Sequence, residues 1–345
     1  MRPLTVSRLL IQCLILAIIL FCVMVLALKF GAIHVSLYGL GRNLLRVFLG
    51  KTSDISTEYS LILNLRLPRI LLGAFVGAAL SIAGTSFQAL LRNPLADPYV
   101  LGVSSGAALG AIFALLVEPH LALPPEIAAV FTPLGAFLGA AIAITSVYFL
   151  GRRDGRIDSS TLLLGGVIVA SLLYAVIILL LTTLPSSNFR GMAYWLMGDL
   201  SGVPSRPLAW VLRIGFAVAA VVIYTTASDL NLLLSGEKEA MHLGVDVRRV
   251  RIVVYLAASA LTGLAVAVSG SIGYVGLLVP HVMRMIYGSD HRILLPAAAF
   301  GGAIAVVFAD ILARTIAAPS ELPVGAITAI AGAPLFIYLL RRRFA

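Results

Sequence analysis

The stretch SIAGTSFQALLRNPLADPYVLGVSSGAALGA, residues 81–111, decides how this chain is organised. The apolar helix that opens it cannot continue through Pro94 and Pro98, because proline lacks the N–H of a helix and its ring clashes with the preceding turn. A second helix of small residues follows, with Ser104 or Ser105 as the expected N-cap. Irregular backbone beside a bilayer is tolerated where it is buried in protein or lines a wet cavity. The stretch is therefore a candidate pathway element, and an ordinary turn between two spans is the alternative.

The composition is that of an integral membrane protein. Of the 345 residues, 60% are hydrophobic and 12% are charged, and the mean hydropathy is +1.04. Soluble domains are about one quarter charged. The net charge of +10 is scattered over short connections without an aromatic-interleaved basic patch, so the positive-inside rule explains it better than nucleic-acid binding. Cys13 and Cys22 share the first apolar segment and cannot pair with each other.

The apolar segments predict an all-α polytopic protein with about ten transmembrane helices. The first segment is longer than the apolar region of a signal peptide and ends without a convincing cleavage site, so it is interpreted as a retained span. Lys and Arg favour the connections on the side of the termini, which places both termini in the cytoplasm; the basic region 29–69 is the exception. A single permease domain over 1–345 is expected. The predicted spans are 9–28, 68–91, 104–116, 127–150, 161–183, 207–227, 252–269, 275–288, 293–315 and 323–340.

Two polar stretches bear on function. Residues 228–251 form the longest internal polar segment and predict one or two short helices, with Ser235 as an N-cap and Gly244 as the break. Gly50-Lys51-Thr52 resembles the end of a phosphate-binding loop, but Leu45 stands where that motif requires glycine. Any use of ATP is therefore assigned to a partner.

Five motifs, in this order, resemble the FecCD-type permeases, the membrane subunits of ABC importers for ferric siderophores, haem and vitamin B12. The resemblance implies a homodimer in a bacterial or archaeal cytoplasmic (inner) membrane, two cytoplasmic ATP-binding subunits, a periplasmic or lipid-anchored substrate-binding protein, and a metal-chelate substrate. It covers nearly the whole chain from about Leu65 onward. The motifs are RLPRILLGAFVGAAL (66–80), QALLRNPLADPYVLGVSSGAALGA (88–111), SGEKEAMHLGV (235–245), GSIGYVGLLVPHVMR (270–284) and DILARTIAAPSELPVGAITAIAGAPLFIYLL (310–340).

The resemblance implies that three arginines at the periplasmic side dock the binding protein. Arg66 and Arg69 precede and open the second span, and Arg314 lies near the end of the ninth. A guanidinium keeps its charge and grips carboxylates bidentately, which suits such a contact. Snorkelling at the membrane interface is the alternative for the first two. For Arg314 the alternative is that it neutralises Asp310, four residues earlier, as an intramembrane acid.

The resemblance also implies gate and coupling positions. Asn93 and Leu95 match positions of the translocation pathway, and Ser159, Ser160 and Thr161 lie at the cytoplasmic gate, although small hydroxyls there could equally cap a helix. The segment 228–251 would contain the helix that couples to the ATPase, and a solvated loop is the alternative. Its matching residues are Ser235, Gly236, Glu237, Glu239, Leu243 and Gly244.

No catalytic, cofactor or metal site is predicted. The histidines are dispersed without metal-ligand spacing, and the resemblance implies that the chelate is carried intact. ATP hydrolysis is expected on a separate subunit, so the chain itself is not predicted to be an enzyme. An ion-gradient-driven secondary transporter is the alternative, with Asp310 as its one plausible intramembrane site; a membrane-embedded enzyme is disfavoured because ionisable pairs do not converge within the spans. The histidines are His34, His120, His242, His281 and His291.

Overall fold

The computed structural model describes residues 5–30, 39, 62–153, 156–157, 159–183 and 186–344, which form an all-α membrane protein. Gly50-Lys51-Thr52 and His34 lie outside the described residues. The described α-helices are α1 (Val6–Lys29), α2 (Leu67–Leu90), α3 (Val103–Val117), α4 (Pro125–Leu150), α5 (Ser159–Thr183), α6 (Ser186–Leu196), α7 (Arg206–Thr225), α8 (Ala227–Ser235), α9 (Glu237–His242), α10 (Val247–Ser269), α11 (Val275–Tyr287), α12 (His291–Thr315) and α13 (Val324–Phe344).

Short elements complete this order. A π-helical turn (Ile62–Arg66) leads into α2, and 3₁₀ turns (Pro98–Leu101 and Glu118–His120) lie before and after α3. Two two-residue strands, β1 (Arg152–Arg153) and β2 (Arg156–Ile157), pair antiparallel between α4 and α5.

The described helices agree with the predicted spans. By length and composition, eight of them can cross a membrane: α1, α2, α3, α4, α5, α7, α10 and α12, while α11 and the apolar part of α13 are shorter. The helix α10 begins at Val247, earlier than the predicted start at residue 252. It does so because the Asp246 side chain accepts a hydrogen bond from the Arg249 N–H at 3.0 Å and caps the helix. The last residues of 228–251 therefore belong to a span.

Helix α2 is the centre of the fold. It packs against α10, α11 and α12, and 83% of its most apolar 18-residue stretch is buried. Glycines allow these helix backbones to touch, as they do in tightly packed membrane helices. A Cβ built at Gly77 would lie 2.0 Å from the Gly302 carbonyl oxygen of α12, and one at Gly84 would lie 1.8 Å from the Gly276 carbonyl oxygen of α11.

A second close contact joins α3 to α4. Each helix carries two glycines four residues apart, so one face of each is nearly bare backbone. A Cβ built at Gly110 would lie 2.1 Å from the Gly135 carbonyl oxygen, and one at Gly139 would lie 2.1 Å from that of Gly106. The spacing of small residues noted in the sequence thus marks a helix–helix interface.

Candidate functional site

The connection that follows α2 is held inside the protein. The Asp97 carboxylate accepts a hydrogen bond from the Tyr99 N–H at 2.8 Å and caps the 3₁₀ turn. The Tyr99 hydroxyl donates to the Ile272 carbonyl at 3.2 Å and accepts from the Ile272 N–H at 3.1 Å. On α5, a Cβ built at Gly166 would lie 2.5 Å from the Val100 carbonyl oxygen. The second half of this connection is therefore held by contacts with the turn at Ile272 and with α5.

The start of α3 differs from the sequence prediction. The N-cap is Gly102 at φ +74°, not Ser104 or Ser105, so that prediction was wrong. The chain passes from the 3₁₀ turn into α3 through a left-handed residue, which glycine adopts at low cost. The Ser104 hydroxyl is instead hydrogen-bonded to the Ser271 hydroxyl at 2.8 Å. The connection, through Tyr99, and the start of α3, through Ser104, thus both contact the turn between α10 and α11.

The predicted gate residues lie in the connection that follows α2 and at the start of α5. The Asn93 Oδ1 accepts a hydrogen bond from the Leu95 N–H at 2.9 Å, and the Leu95 side chain is 44% exposed. Ser159 is the first residue of α5, Ser160 is exposed, and Thr161 is half-buried. Their role in a gate stays a prediction.

A cluster of four charged side chains lies at the opposite end of α2. The Arg69 Nε is 2.8 Å from Asp310 Oδ1, and its Nη1 is 2.6 Å from Glu321 Oε2. The Arg314 Nε is 2.9 Å from Asp310 Oδ2, while its N–H is directed to the Asp310 main-chain oxygen at 3.4 Å. Asp310 is buried between two guanidinium groups, and the two acids balance the two arginines. This arrangement neutralises the acid that the secondary-transporter alternative requires.

Arg314 and a neighbouring arginine, Arg66, hold the end of α1. Arg314 donates to the main-chain oxygens of Ala27 and Phe30 at 3.2 and 3.3 Å, and Arg66 donates to that of Leu28 at 3.1 Å. Cations are stabilising at a helix C-terminus, where carbonyl groups lack intrahelical partners. Sequence reasoning missed this role, because residues nearly 300 positions apart carry no local signal.

Burial bears directly on the predicted docking role. Arg69 is 8% exposed and Arg314 is 5% exposed, whereas Arg66 is half-buried. Two of the three arginines are therefore engaged inside the protein, and burial argues against direct contact between them and a partner. Docking stays a prediction, and Arg66 is its best-placed candidate.

The segment after α7 contains two short helices. Ser235 ends α8 and the N-cap of α9 is Gly236, so the prediction of a Ser235 cap was wrong. The predicted break at Gly244 is confirmed, with φ +86°. The Gly244 N–H donates to the Met241 oxygen and the Val245 N–H to the Ala240 oxygen, both at 3.0 Å. These two bonds form a Schellman motif, which ends α9 sharply.

Helix α9 has a buried side and an exposed side. Ala240 is fully buried and Val245 is 9% exposed, and both pack in one apolar cluster with α8 and α10. Glu239 is exposed, and Met241 and Leu243 are 53% and 65% exposed. One side of α9 thus packs against α8 and α10, and its other side exposes charged and apolar side chains.

A polar contact ties α8 to the start of α12. Asn231 donates from Nδ2 to Asp290 Oδ1 at 2.8 Å, and its Oδ1 accepts from the His291 N–H at 2.8 Å. Hydrogen bonds from Arg292, which outweigh partial burial, lower the pKa of the Asp290 carboxyl to about 2. Asp290 is therefore ionised at neutral pH. Local sequence patterns do not indicate this contact, because its members are about sixty residues apart.

Across the ranges that the structure describes, no group of three or more His, Cys, Asp and Glu side chains is arranged to hold a metal ion. Asp310 and Glu321 are instead paired with arginines, and Asp97 accepts from a main-chain N–H group.

These features define a polytopic permease with a polar element between α7 and α10 and a tightly packed helical core. The chain belongs to the FecCD transport family, whose family model matches residues 15–342. It is therefore a multi-pass membrane permease subunit of the ABC transporter class.

Several relatives match along most of the chain. It is 41% identical to an uncharacterized ABC transporter permease protein, YvrB, of Bacillus subtilis, covering 92% of this chain and 90% of that one. It is 40% identical to the hemin transport system permease protein HmuU of Yersinia pestis, covering 86% and 87%. It is 43% identical to a cobalamin import system permease protein of Halobacterium salinarum, covering 81% and 73%. A solved structure described as an inward-facing, metal-chelate type ABC transporter matches with a TM-score of 0.80 and 28% identity, covering 96% of this chain and 99% of that one.

Proposed function

We propose that this chain imports an intact metal chelate of the haem, cobalamin or ferric-siderophore class across the inner membrane. It works as a homodimer with two cytoplasmic ATP-binding subunits and a substrate-binding protein. The names of the relatives support the substrate class, since they include permeases for hemin, cobalamin and Fe(3+)-citrate. ATP hydrolysis occurs on the separate subunits, and the permease converts it into alternating access.

The exposed side of α9 is the observation that carries the ATPase partnership. Met241 and Leu243 are large apolar side chains, more than half exposed, on a connection that the positive-inside rule places in the cytoplasm. Exposed apolar groups next to a charge are typical of a protein interface, and here they lie on a helix whose other side is packed against α8 and α10. A groove on the ATPase would cover them and would move α9 as nucleotide binds.

Copurification with the ATPase subunit tests this partnership. Leu243→Asp places a charge in the proposed apolar contact, so we expect the ATPase to dissociate during purification while the permease still inserts in the membrane. The matched control is Leu121→Asp, which changes a 46% exposed leucine on the connection between α3 and α4, on the opposite side of the membrane. Equal ATPase recovery from Leu243→Asp and wild type would contradict the assignment of α9.

Substrate identity is tested with the cognate binding protein. Titration with a ferric siderophore, haem and cobalamin, followed by uptake in vesicles that contain the whole complex, identifies the chelate. Uptake should require ATP inside the vesicle and should persist when ion gradients are collapsed. Uptake that follows an ion gradient without ATP would favour the secondary-transporter alternative instead.

A further inference from the structure

The first residue of α9, Glu237, is 39% exposed and forms ion pairs within its own chain. The Glu237 carboxylate forms an ion pair with the Arg251 guanidinium of α10, and its Oε1 is also 3.8 Å from Arg92 Nη2. Arg92 belongs to the connection that follows α2. One carboxylate thus joins three elements: the coupling helix, the seventh span, and the irregular connection.

Arg92 has an unusual backbone for an arginine. It has φ +48°, and its N–H donates to the Ala89 oxygen while the Asn93 N–H donates to the Gln88 oxygen. This is a Schellman motif whose left-handed position glycine usually occupies. A residue with a Cβ is disfavoured there, so local backbone geometry does not explain the arginine. What the arginine adds is a side chain that reaches Glu237.

The Glu237 carboxylate also stabilises Arg251. The Arg251 side chain is only 11% exposed, and Glu237 places an opposite charge next to it. A buried charge is costly without a partner. Glu237 therefore stabilises a cation that the position of Arg251 would otherwise disfavour.

We propose that Glu237 is a positioning residue that transmits movement of α9 to the connection of residues 91–102, rather than a contact to the ATPase. From Arg92 this connection runs to Tyr99, whose hydroxyl holds the turn between α10 and α11 at Ile272. Movement of α9 therefore reaches the irregular backbone through one ion-paired carboxylate. The inference rests on the proposed function, because it assumes that an ATPase moves α9.

The decisive variant is Arg92→Gly in the full complex with ATPase and binding protein. Glycine suits the left-handed position, so the thermal midpoint should be unchanged or higher, while the ion pair is lost. We expect uptake to fall at least about fivefold, the lower range of typical coupling between sites. The matched control is Ala122→Gly, which relieves another exposed residue at φ +46° and should leave uptake unchanged.

A second pair of variants separates the inference from the proposed function. Glu237→Gln should keep the ATPase bound and its basal hydrolysis intact, while the stimulation of hydrolysis by loaded binding protein is lost. Glu239→Gln, on the exposed side of α9, should weaken ATPase binding instead. Arg92→Lys keeps a cation near Glu237 and the same left-handed backbone, so it should retain more uptake than Arg92→Gly, which relief of backbone strain would not produce.

Each result then decides one question. Wild-type uptake by both Arg92→Gly and Glu237→Gln would overturn the proposed role of Glu237. ATPase dissociation caused by Glu237→Gln would identify this residue as an ATPase contact and would also overturn the role. A wild-type permease that binds no ATPase at all would instead overturn the proposed function on which the inference rests.

Discussion

Arg69 and Asp310 lie 241 positions apart, yet Arg69 Nε is 2.8 Å from Asp310 Oδ1 in a buried ion pair that ties α2 to α12. Arg314 shares the same carboxylate and reaches the last carbonyl groups of α1. One acid, Asp310, thus links the first, second and ninth spans. Variants of the individual charged residues separate their roles.

Asp310→Asn should destabilise the permease strongly, because two buried guanidinium groups then lose their common partner. Breaking a buried ion pair on one side costs about 3–5 kcal/mol. Thermal unfolding of the purified protein in lipid nanodiscs measures the change. The matched control is Glu321→Gln, whose side chain is 49% exposed and whose loss should cost at most about 1 kcal/mol. Equal losses from both variants would contradict the central role of Asp310.

Arg66→Glu should weaken association with the binding protein and reduce its dependence on salt, because an attractive charge contact becomes repulsive. The single variant is preferable to the double change with Arg69→Glu, since Arg69 also holds the buried cluster. Surface plasmon resonance over a series of salt concentrations measures both quantities. Unchanged affinity and salt dependence would show that Arg66 serves only to hold the end of α1.

Gly244→Val should misplace α9 while the spans stay folded. The residue has φ +86°, and a built Cβ meets no atom within 4 Å, so the penalty comes from backbone strain alone. Such strain costs about 1–3 kcal/mol. We expect normal membrane insertion with loss of uptake and of stimulated hydrolysis. Gly244→Asn is the control, because asparagine tolerates left-handed backbone better than a β-branched residue. Wild-type coupling in Gly244→Val would exclude this turn as a requirement.

Gly84→Ala should prevent correct packing of α2 against α11. The new Cβ would lie 1.8 Å from the Gly276 carbonyl oxygen, so the two backbones must separate. Overpacking of this kind costs about 1–3 kcal/mol or more. The yield of monodisperse protein after detergent extraction measures the effect. Gly273→Ala is the control, since its Cβ meets no atom within 4 Å; a similar loss in both variants would refute the packing argument.

The isolated chain should neither bind nor hydrolyse ATP. Its one stretch that resembles a phosphate-binding loop has Leu45 where the motif requires glycine, so the backbone cannot wrap the phosphates. Phosphate release from the purified permease, with and without added ATPase subunit, measures this. Hydrolysis that persists in the permease alone would contradict the assignment of ATP use to a partner.

Local patterns were sufficient for the helices and for one turn. The long apolar runs predicted the spans, because a bilayer requires about 20 apolar residues for each helix. Gly244 was predicted as a helix break, because glycine favours the left-handed end of a helix. The caps expected at Ser104 or Ser105 and at Ser235 were wrong. The N-cap of each helix is instead a glycine with positive φ, Gly102 for α3 and Gly236 for α9.

The class of protein and the order of the helices follow from the amino-acid sequence alone, because hydropathy and the positions of glycine and proline act over short distances. The partners of the charged residues, in contrast, follow from tertiary packing. Arg69 and Arg314 were expected at a docking surface and lie in a buried cluster, while Glu237 was expected to face a partner and forms an ion pair with Arg251 of its own chain. A charge takes its role from the partner that packing brings within a few ångströms, and that partner is as far as 287 residues away in the chain.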